Sequence, residues 1–227
     1  MRITLRGHSA IHVATIDGSL LLDPGVWSAL DGAFTGISAV LLTHQHADHA
    51  DQPRIADAVI ENSMLRVYAP DALARALREA LPGPHQAQIT TVQAGDDFVV
   101  GGIRVRAFGG THATIHSSIE LVGNVGYLVG ESELFHPGDS YQVPIGIRPQ
   151  VLALPLMAPW AKIAETMDFA TAVGAPVWVP IHDGLLNERG RNLFDTQLST
   201  RAQGSGATLR RLEPGTSYEL AQIGTDA

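Results

Sequence analysis

The sequence predicts an α+β chain arranged as an αββα sandwich, with two mixed β-sheets face to face and helices on their outer surfaces. Three observations carry this. Short runs of β-branched residues and Leu, punctuated by Gly, Asp and Pro, fill the first third, and helical segments follow them. From Ile89 the strand pattern returns, and it ends in a helix, a strand and a further helix. No Ser/Gly-rich linker, charge block or close repeat divides the 227 residues, so 1–227 reads as a single domain.

The opening strands are Ile3–Leu5, Ile11–Ile16, Leu20–Asp23 and Ala39–Thr43. Gln52-Pro53 then opens a helix over Arg54–Glu61, with Pro near the first turn where its missing N–H costs little. A short strand, Val67–Ala69, precedes a second helix over Asp71–Leu81, with Asp71 as its expected cap. The second strand series is Ile89–Val92, Asp97–Val100, Ile103–Phe108, Ile119–Leu121, Gly126–Val129 and Leu134–His136. Val151–Leu154, a helix over Lys162–Val173, the strand Val177–Ile181 and a helix near Thr196–Gln203 follow. Thr208–Leu212 and Ser217–Leu220 close the chain as a strand pair.

Composition narrows the function. A hydrophobic fraction of 45% against 17% charged residues supplies a core and rules out a disordered chain. The net charge of −8 argues against a general electrostatic grip on nucleic acid or an anionic membrane. No apolar run reaches membrane-span length, and the N-terminus lacks a signal-peptide pattern, so a cytoplasmic protein is expected. With ten His and no Cys, thiolate metal sites, Cys nucleophiles and disulfides are all excluded. Any metal must be held by His, Asp or Glu.

The strongest chemical signal is Thr43-His44-Gln-His46-Ala-Asp48-His49, set between an apolar strand and a helix. On an extended loop, residues two apart project to the same side, so His44 and His46 can reach one ion. After the loop turns, Asp48 and His49 face a neighbouring point. Imidazole and carboxylate at this density suit Zn²⁺, with Mn²⁺ or Fe as alternatives.

His-x-His-x-Asp-His after a strand resembles the signature of the metallo-β-lactamase superfamily, whose fold is the αββα sandwich. The further elements of that pattern recur in order: His112 in Gly109-Gly-Thr-His-Ala, Asp139 in His136-Pro-Gly-Asp-Ser140, His182 after Val177–Ile181, and Asp23 in Leu-Leu-Leu-Asp-Pro. The resemblance implies one metal bound by His44, His46 and His112, a second by Asp48, His49 and His182, and Asp139 bridging them. It sharpens toward a compact branch similar to ascorbate-6-phosphate lactonase-like proteins, through Gly7-His-Ser, the stretch from Gly109 to His116, Asn124-Val-Gly-Tyr127 and Pro180-Ile-His-Asp183.

Two divalent ions roughly 3.5–4 Å apart can hold a bridging water and lower its pKa toward about 7. Such a site cleaves a small ester, lactone, amide or phosphodiester, with Asp48 orienting the water and accepting its proton. The competing readings are a metal-binding sensor or interaction protein without turnover, and a nuclease or phosphodiesterase. Relative to other branches, the chain has His46 where oxygen-reducing members carry Glu. It also lacks the inserted domain of RNA-processing members and has little room for a glutathione-binding helical part. A small-molecule substrate remains, with homo-oligomers permitted.

Asp23 is expected to accept the N–H of a ligand imidazole. His8 and His116 are candidates for the pocket or its support. Lys162, the only Lys in the chain, opens a helix where it would favour an anionic substrate group. Asp183 fits either a supporting role beside His182 or a turn cap. Trp160 reads as a packing anchor, Tyr141 as a pocket candidate, His12 as a packed or surface residue, His136 as a strand-end group and His85 as surface loop.

Overall fold

Successive side chains on a strand go to opposite faces, and in this protein both faces are covered. The computed structural model describes residues 1–224. In chain order it contains β1 (Arg2–Leu5), β2 (Ile11–Ala14), β3 (Ser19–Leu22), β4 (Ala39–Leu41), α1 (Gln52–Glu61), β5 (Arg66–Ala69), α2 (Asp71–Ala80), a 3₁₀ turn (Gly83–Gln88) and β6 (Ile89–Thr91). β7 (Asp97–Val100), β8 (Ile103–Gly109), β9 (Val125–Val129), β10 (Leu134–His136), β11 (Val151–Pro155), α3 (Ile163–Val173) and β12 (Val177–Ile181) follow. The chain continues with α4 (Glu188–Gly204), β13 (Thr208–Leu209), β14 (Ser217–Glu219) and α5 (Leu220–Ile223).

The strands form two mixed sheets, ordered β14-β1-β2-β3-β4-β5-β6 and β13-β12-β11-β10-β9-β8-β7. Alternation along single strands builds three apolar layers. Leu20, Leu22, Ala39 and Leu41 meet Tyr127, Val151, Ala153, Val179 and Ile181 between the sheets. Leu21, Val40 and Leu42 point the other way, into a layer with Ile55 and Val59 of α1 and Leu73 and Leu77 of α2. Leu128, Leu152, Leu154 and Trp178 do the same on the second sheet, against Phe169 of α3 and Leu198 of α4. The αββα expectation is met. Tyr127 also ties the sheets together, its phenol donating to the Leu42 carbonyl across the sandwich at 2.9 Å.

Several local expectations need correction. Ile119–Leu121 forms no strand; Ile119 and Leu121 are exposed in a loop that joins β8 to β9. Its alternation had no neighbouring strand to pair with. Pro70, not Asp71, stands at the cap of α2, and Asp71 is the first helical residue. α4 begins at Glu188, capped by the Asn187 side chain accepting from Gly190 N, well before the expected start at Thr196. The helix expected to open at Gln52-Pro53 is met: α1 runs Gln52–Glu61, with Asp51 accepting from Arg54 N. Among the described residues, no helix is long and apolar enough to cross a membrane.

Candidate metal centre

The parallel strands β3, β4, β11 and β12 share one direction within their sheets, and the loops leaving their ends gather at one edge of the sandwich. Asp23 follows β3, and the segment from His44 to His49 follows β4. His112 follows β8, Asp139 follows β10, and His182 follows β12. Two clusters of potential ligand atoms result: His44, His46, His112 and Asp139, and His8, Asp48, His49 and His182, with the atoms of each within 4.8 Å of one another. Asp139 stands between them. Its Oδ2 lies 3.4 Å from His112 Nε2 and 3.2 Å from His182 Nε2, while Oδ1 lies 3.0 Å from His49 Nε2.

Backbone geometry is specialised here. Among the described residues, His8, Asp23 and His182 are the non-glycine residues with positive φ, at 47°, 44° and 55°. Such conformations cost of order 1–3 kcal/mol each and persist only where surrounding bonds over-determine them. His182 illustrates this: its N–H donates to the His8 carbonyl, and its own carbonyl accepts from Met157 N. Gly25 and Gly138 permit the close approaches. A Cβ on Gly25 would collide with the Asp48 backbone, and one on Gly138 with the side chains of Asn124 and Thr43.

A hydrogen-bond network sets the imidazole tautomers. Asp23 accepts from Thr43 N at 2.8 Å, Thr43 Oγ1 at 2.6 Å and His49 Nδ1 at 2.7 Å. Since the Thr43 hydroxyl donates to Asp23, it accepts from His44 Nδ1 at 3.0 Å. His112 Nδ1 donates to the Ala113 carbonyl at 2.6 Å, and His182 Nδ1 to the Met157 carbonyl at 2.7 Å. Each of these rings has therefore spent its N–H on the protein and turns Nε2 inward.

Those inward atoms carry the test of metal fit. Nε2 of His49, His112 and His182 and Oδ1 of Asp139 are buried without a hydrogen-bond partner. Imidazole lone pairs facing carboxylate lone pairs repel unless positive charge lies between them. The same field governs protonation. Burial alone would push His182 down, but the Asp139 and Asp48 carboxylates 3.2 and 3.5 Å from its Nε2 outweigh it and push the ring up to about 9. His49 moves the same way: the nearby Asp139 and Asp23 charges overcome its burial. Burial opposes ionisation of Asp48, yet the neighbouring His182 imidazole and the hydrogen bond from His8 hold it well below the usual carboxylate range. Donors of this kind and arrangement fit divalent metal ions, with Nδ1 partners of the sort that orient metal-bound imidazoles.

The other sequence candidates divide. His8 is buried: Gly184 N donates to its Nδ1 at 3.3 Å, which leaves Nε2–H to donate to Asp48 Oδ2 at 3.2 Å. His116 is exposed and bonds Ser118; Lys162 is exposed at the cap of α3, and neither lines the cavity above the clusters. Asp183 turns away into ion pairs with Arg211 and Arg191. Tyr141 sits behind Trp160 with its hydroxyl on Thr166, outside the cavity. His136 donates Nε2–H to the Ser9 carbonyl and accepts from Gly138 N, so it braces the turns bearing His8 and Asp139.

Trp160 is more than a packing anchor. Its indole N–H donates to Asp139 Oδ2 at 2.9 Å. A buried Trp needs a partner for that N–H, and Asp139 supplies it. Asn124 acts on the same residue from the backbone side, accepting from Asp139 N and donating to the Pro137 carbonyl.

An αββα sandwich carrying two His/Asp clusters at its loop edge defines a metallo-β-lactamase-type protein. A family model described as the beta-lactamase superfamily domain matches residues 2–182, and the chain belongs to the metallo-β-lactamase superfamily. It is 38% identical over 203 residues to Protein Rv0786c of Mycobacterium tuberculosis, covering 88% of this chain and 92% of that one. It is 26% identical over 228 residues to UPF0173 protein PF0020 of Pyrococcus furiosus, covering 97% and 100%. Igni18 of Ignicoccus hospitalis, described as a novel metallo hydrolase, shares the fold with a TM-score of 0.72 over 96% of this chain and 98% of that chain, at 20% identity.

Proposed function

We propose that this metal-dependent hydrolase of the metallo-β-lactamase superfamily uses a dinuclear centre to cleave a small ester, lactone, amide or phosphodiester. The observation that carries the reading is the convergence of unpartnered, buried Nε2 atoms on Asp139. His44, His46 and His112 would hold one ion, Asp48, His49 and His182 the other, and Asp139 would contact both. All-imidazole and carboxylate ligation favours Zn²⁺, with Mn²⁺ or Fe as alternatives. When bound, a pair of divalent ions lowers the pKa of water and polarises the oxygen of the scissile group.

The chain's own residues do the rest. Asp48 orients the attacking water and accepts its proton, and His8 Nε2–H fixes the carboxylate rotamer for that task. Asp23 keeps His49 facing inward, and through Thr43 it does the same for His44. Trp160 pins the Asp139 oxygen that faces His112 and His182. We place the activity in the cytoplasm, on a small-molecule substrate, with residues 1–227 acting as one domain and a homo-oligomer compatible with it.

The test is metal stoichiometry by elemental analysis after reconstitution, together with turnover on lactone, ester, thioester, amide and phosphodiester panels. Two ions per chain and turnover on one panel are expected. Fewer than two ions removes the dinuclear centre; two ions without any turnover leaves a metal-binding protein. Asp48→Ala should lower kcat by about 10²–10⁴-fold. Full activity in that variant would remove the proton-accepting role.

A further inference from the structure

We infer that the substrate's non-reacting portion is small, apolar and uncharged. It would lie against a wall made by Trp27, Ile115, Ala158, Pro159, Trp160 and Leu185. The inference rests on the hydrolase reading above and narrows its substrate class.

The cavity over the two clusters has a volume of about 210 Å³. Ligand pockets usually run to about 300–1,000 Å³, so this one suits a compact molecule. Its floor is His46, Asp48, His112, Asp139 and His182, and every side chain above the floor is hydrocarbon or indole. Among the described residues, no Lys or Arg lines it. Arg191 and Arg211 pair with Asp183, and Lys162 is exposed and does not line the cavity. The apolar surface continues outward, where Val26, Trp27 and Leu185 are 50%, 49% and 52% exposed. A charged substituent seated on this wall would lose hydration and gain no partner, a cost that an apolar group does not meet. The charge excluded is that of the substituent, because the floor is built for negative charge at the reacting group.

Two ethyl esters of equal acyl length, the butyrate and the succinate monoester, isolate this difference, since ethoxide leaves too poorly for the succinate carboxylate to expel it unaided, and a pH-stat follows the acid released. The metal-loaded protein should favour the butyrate in kcat/KM by at least about tenfold. Leu185→Lys should raise kcat/KM for the succinate, and Leu185→Gln, which changes polarity without charge, should not. Equal or better use of the succinate by the unaltered protein overturns the inference.

Quenching of indole fluorescence by two ketones that cannot be hydrolysed, 2-pentanone and levulinate, reads the wall without turnover. Tighter levulinate binding in Leu185→Lys, with 2-pentanone binding no tighter, supports the apolar wall. Levulinate binding that ignores the new ammonium overturns it. If neither ester is cleaved, hydrolysis of such esters fails by itself and the ketone pair still decides the wall.

Discussion

Asp23 is a buried carboxylate whose hydrogen bonds all come from Thr43 and His49. Removing it frees His49 to rotate and leaves the Thr43–His44 relay without its acceptor. Asp23→Ala should weaken metal affinity by about 10–100-fold, the usual cost of losing an orienting partner. A chromophoric-chelator competition would measure it, and an unchanged affinity would leave Asp23 as mere packing. Trp160→Phe is the sharper case, because it keeps a ring against His112 and Tyr141 and deletes only the N–H on Asp139. We expect about tenfold weaker metal binding, read by the same competition, with a Tm within a few degrees of the parent.

These two residues also show what a sequence reveals at this scale. Asp23 was legible because its strand, its Pro neighbour and its place upstream of the His motif recur together. Trp160 was not, because the turn after β11 that carries it toward Asp139 leaves no periodic trace. Lys162 stood out by being the only Lys, but rarity in a chain says nothing about where a side chain points. His8 lay between these cases: the Gly7-His-Ser turn marked it, while its partner Asp48 came only with the fold.

At the scale of elements, the buried strands were the most readable part. Strands such as β11 and β12 are continuous apolar runs because both of their faces are covered, one by the opposite sheet and one by helices. Leu154 of β11 is fully buried in the outer layer beneath α3 and α4, so Leu154→Ala should cost about 2–5 kcal/mol, measured by denaturant unfolding. A loss under 1 kcal/mol would mean that layer is loosely packed. Ile119–Leu121 shows the opposite limit, where a β-type pattern fails because no strand is available to pair with it. α4 was read short because residues 188–192 at its start carry no apolar side chain and are mostly exposed, and helical periodicity needs a buried face.

A pH prediction belongs to β2. Burial, and secondarily Arg6 and Arg2, holds the His12 imidazole below its ordinary value. The fold therefore prefers neutral His12, and below about pH 6.5 the unfolded chain takes up the extra proton more readily. This contribution to stability is complete above the ordinary His range and is lost as pH falls toward the folded value. His12→Gln should flatten part of the decline in Tm between pH 7.5 and pH 5. A decline unaltered by the substitution would place the acid sensitivity elsewhere.

At the scale of the whole molecule, the clusters draw on both sheets. Asp23, His44, His46, Asp48 and His49 follow strands of the first sheet, and His112, Asp139 and His182 follow strands of the second. Residues far apart in sequence thus meet only when the sandwich is closed, and an ion bound to them stabilises the closed form alone. At a free metal concentration about 100 times Kd, that linkage contributes about 2.7 kcal/mol for each ion. For a chain of this size each kcal/mol moves Tm by about 2–4 °C, so chelation should lower Tm by about 5–10 °C for each ion removed. Restoring Zn²⁺ should recover it, and Asp139→Ala, which removes the carboxylate between the clusters, should abolish most of the response. Scanning calorimetry with and without chelator measures both. A Tm that ignores chelator and metal alike would mean that the clusters do not hold an ion in the folded protein. The metal assignment would then fall while the sandwich, which rests on its three apolar layers, would stand.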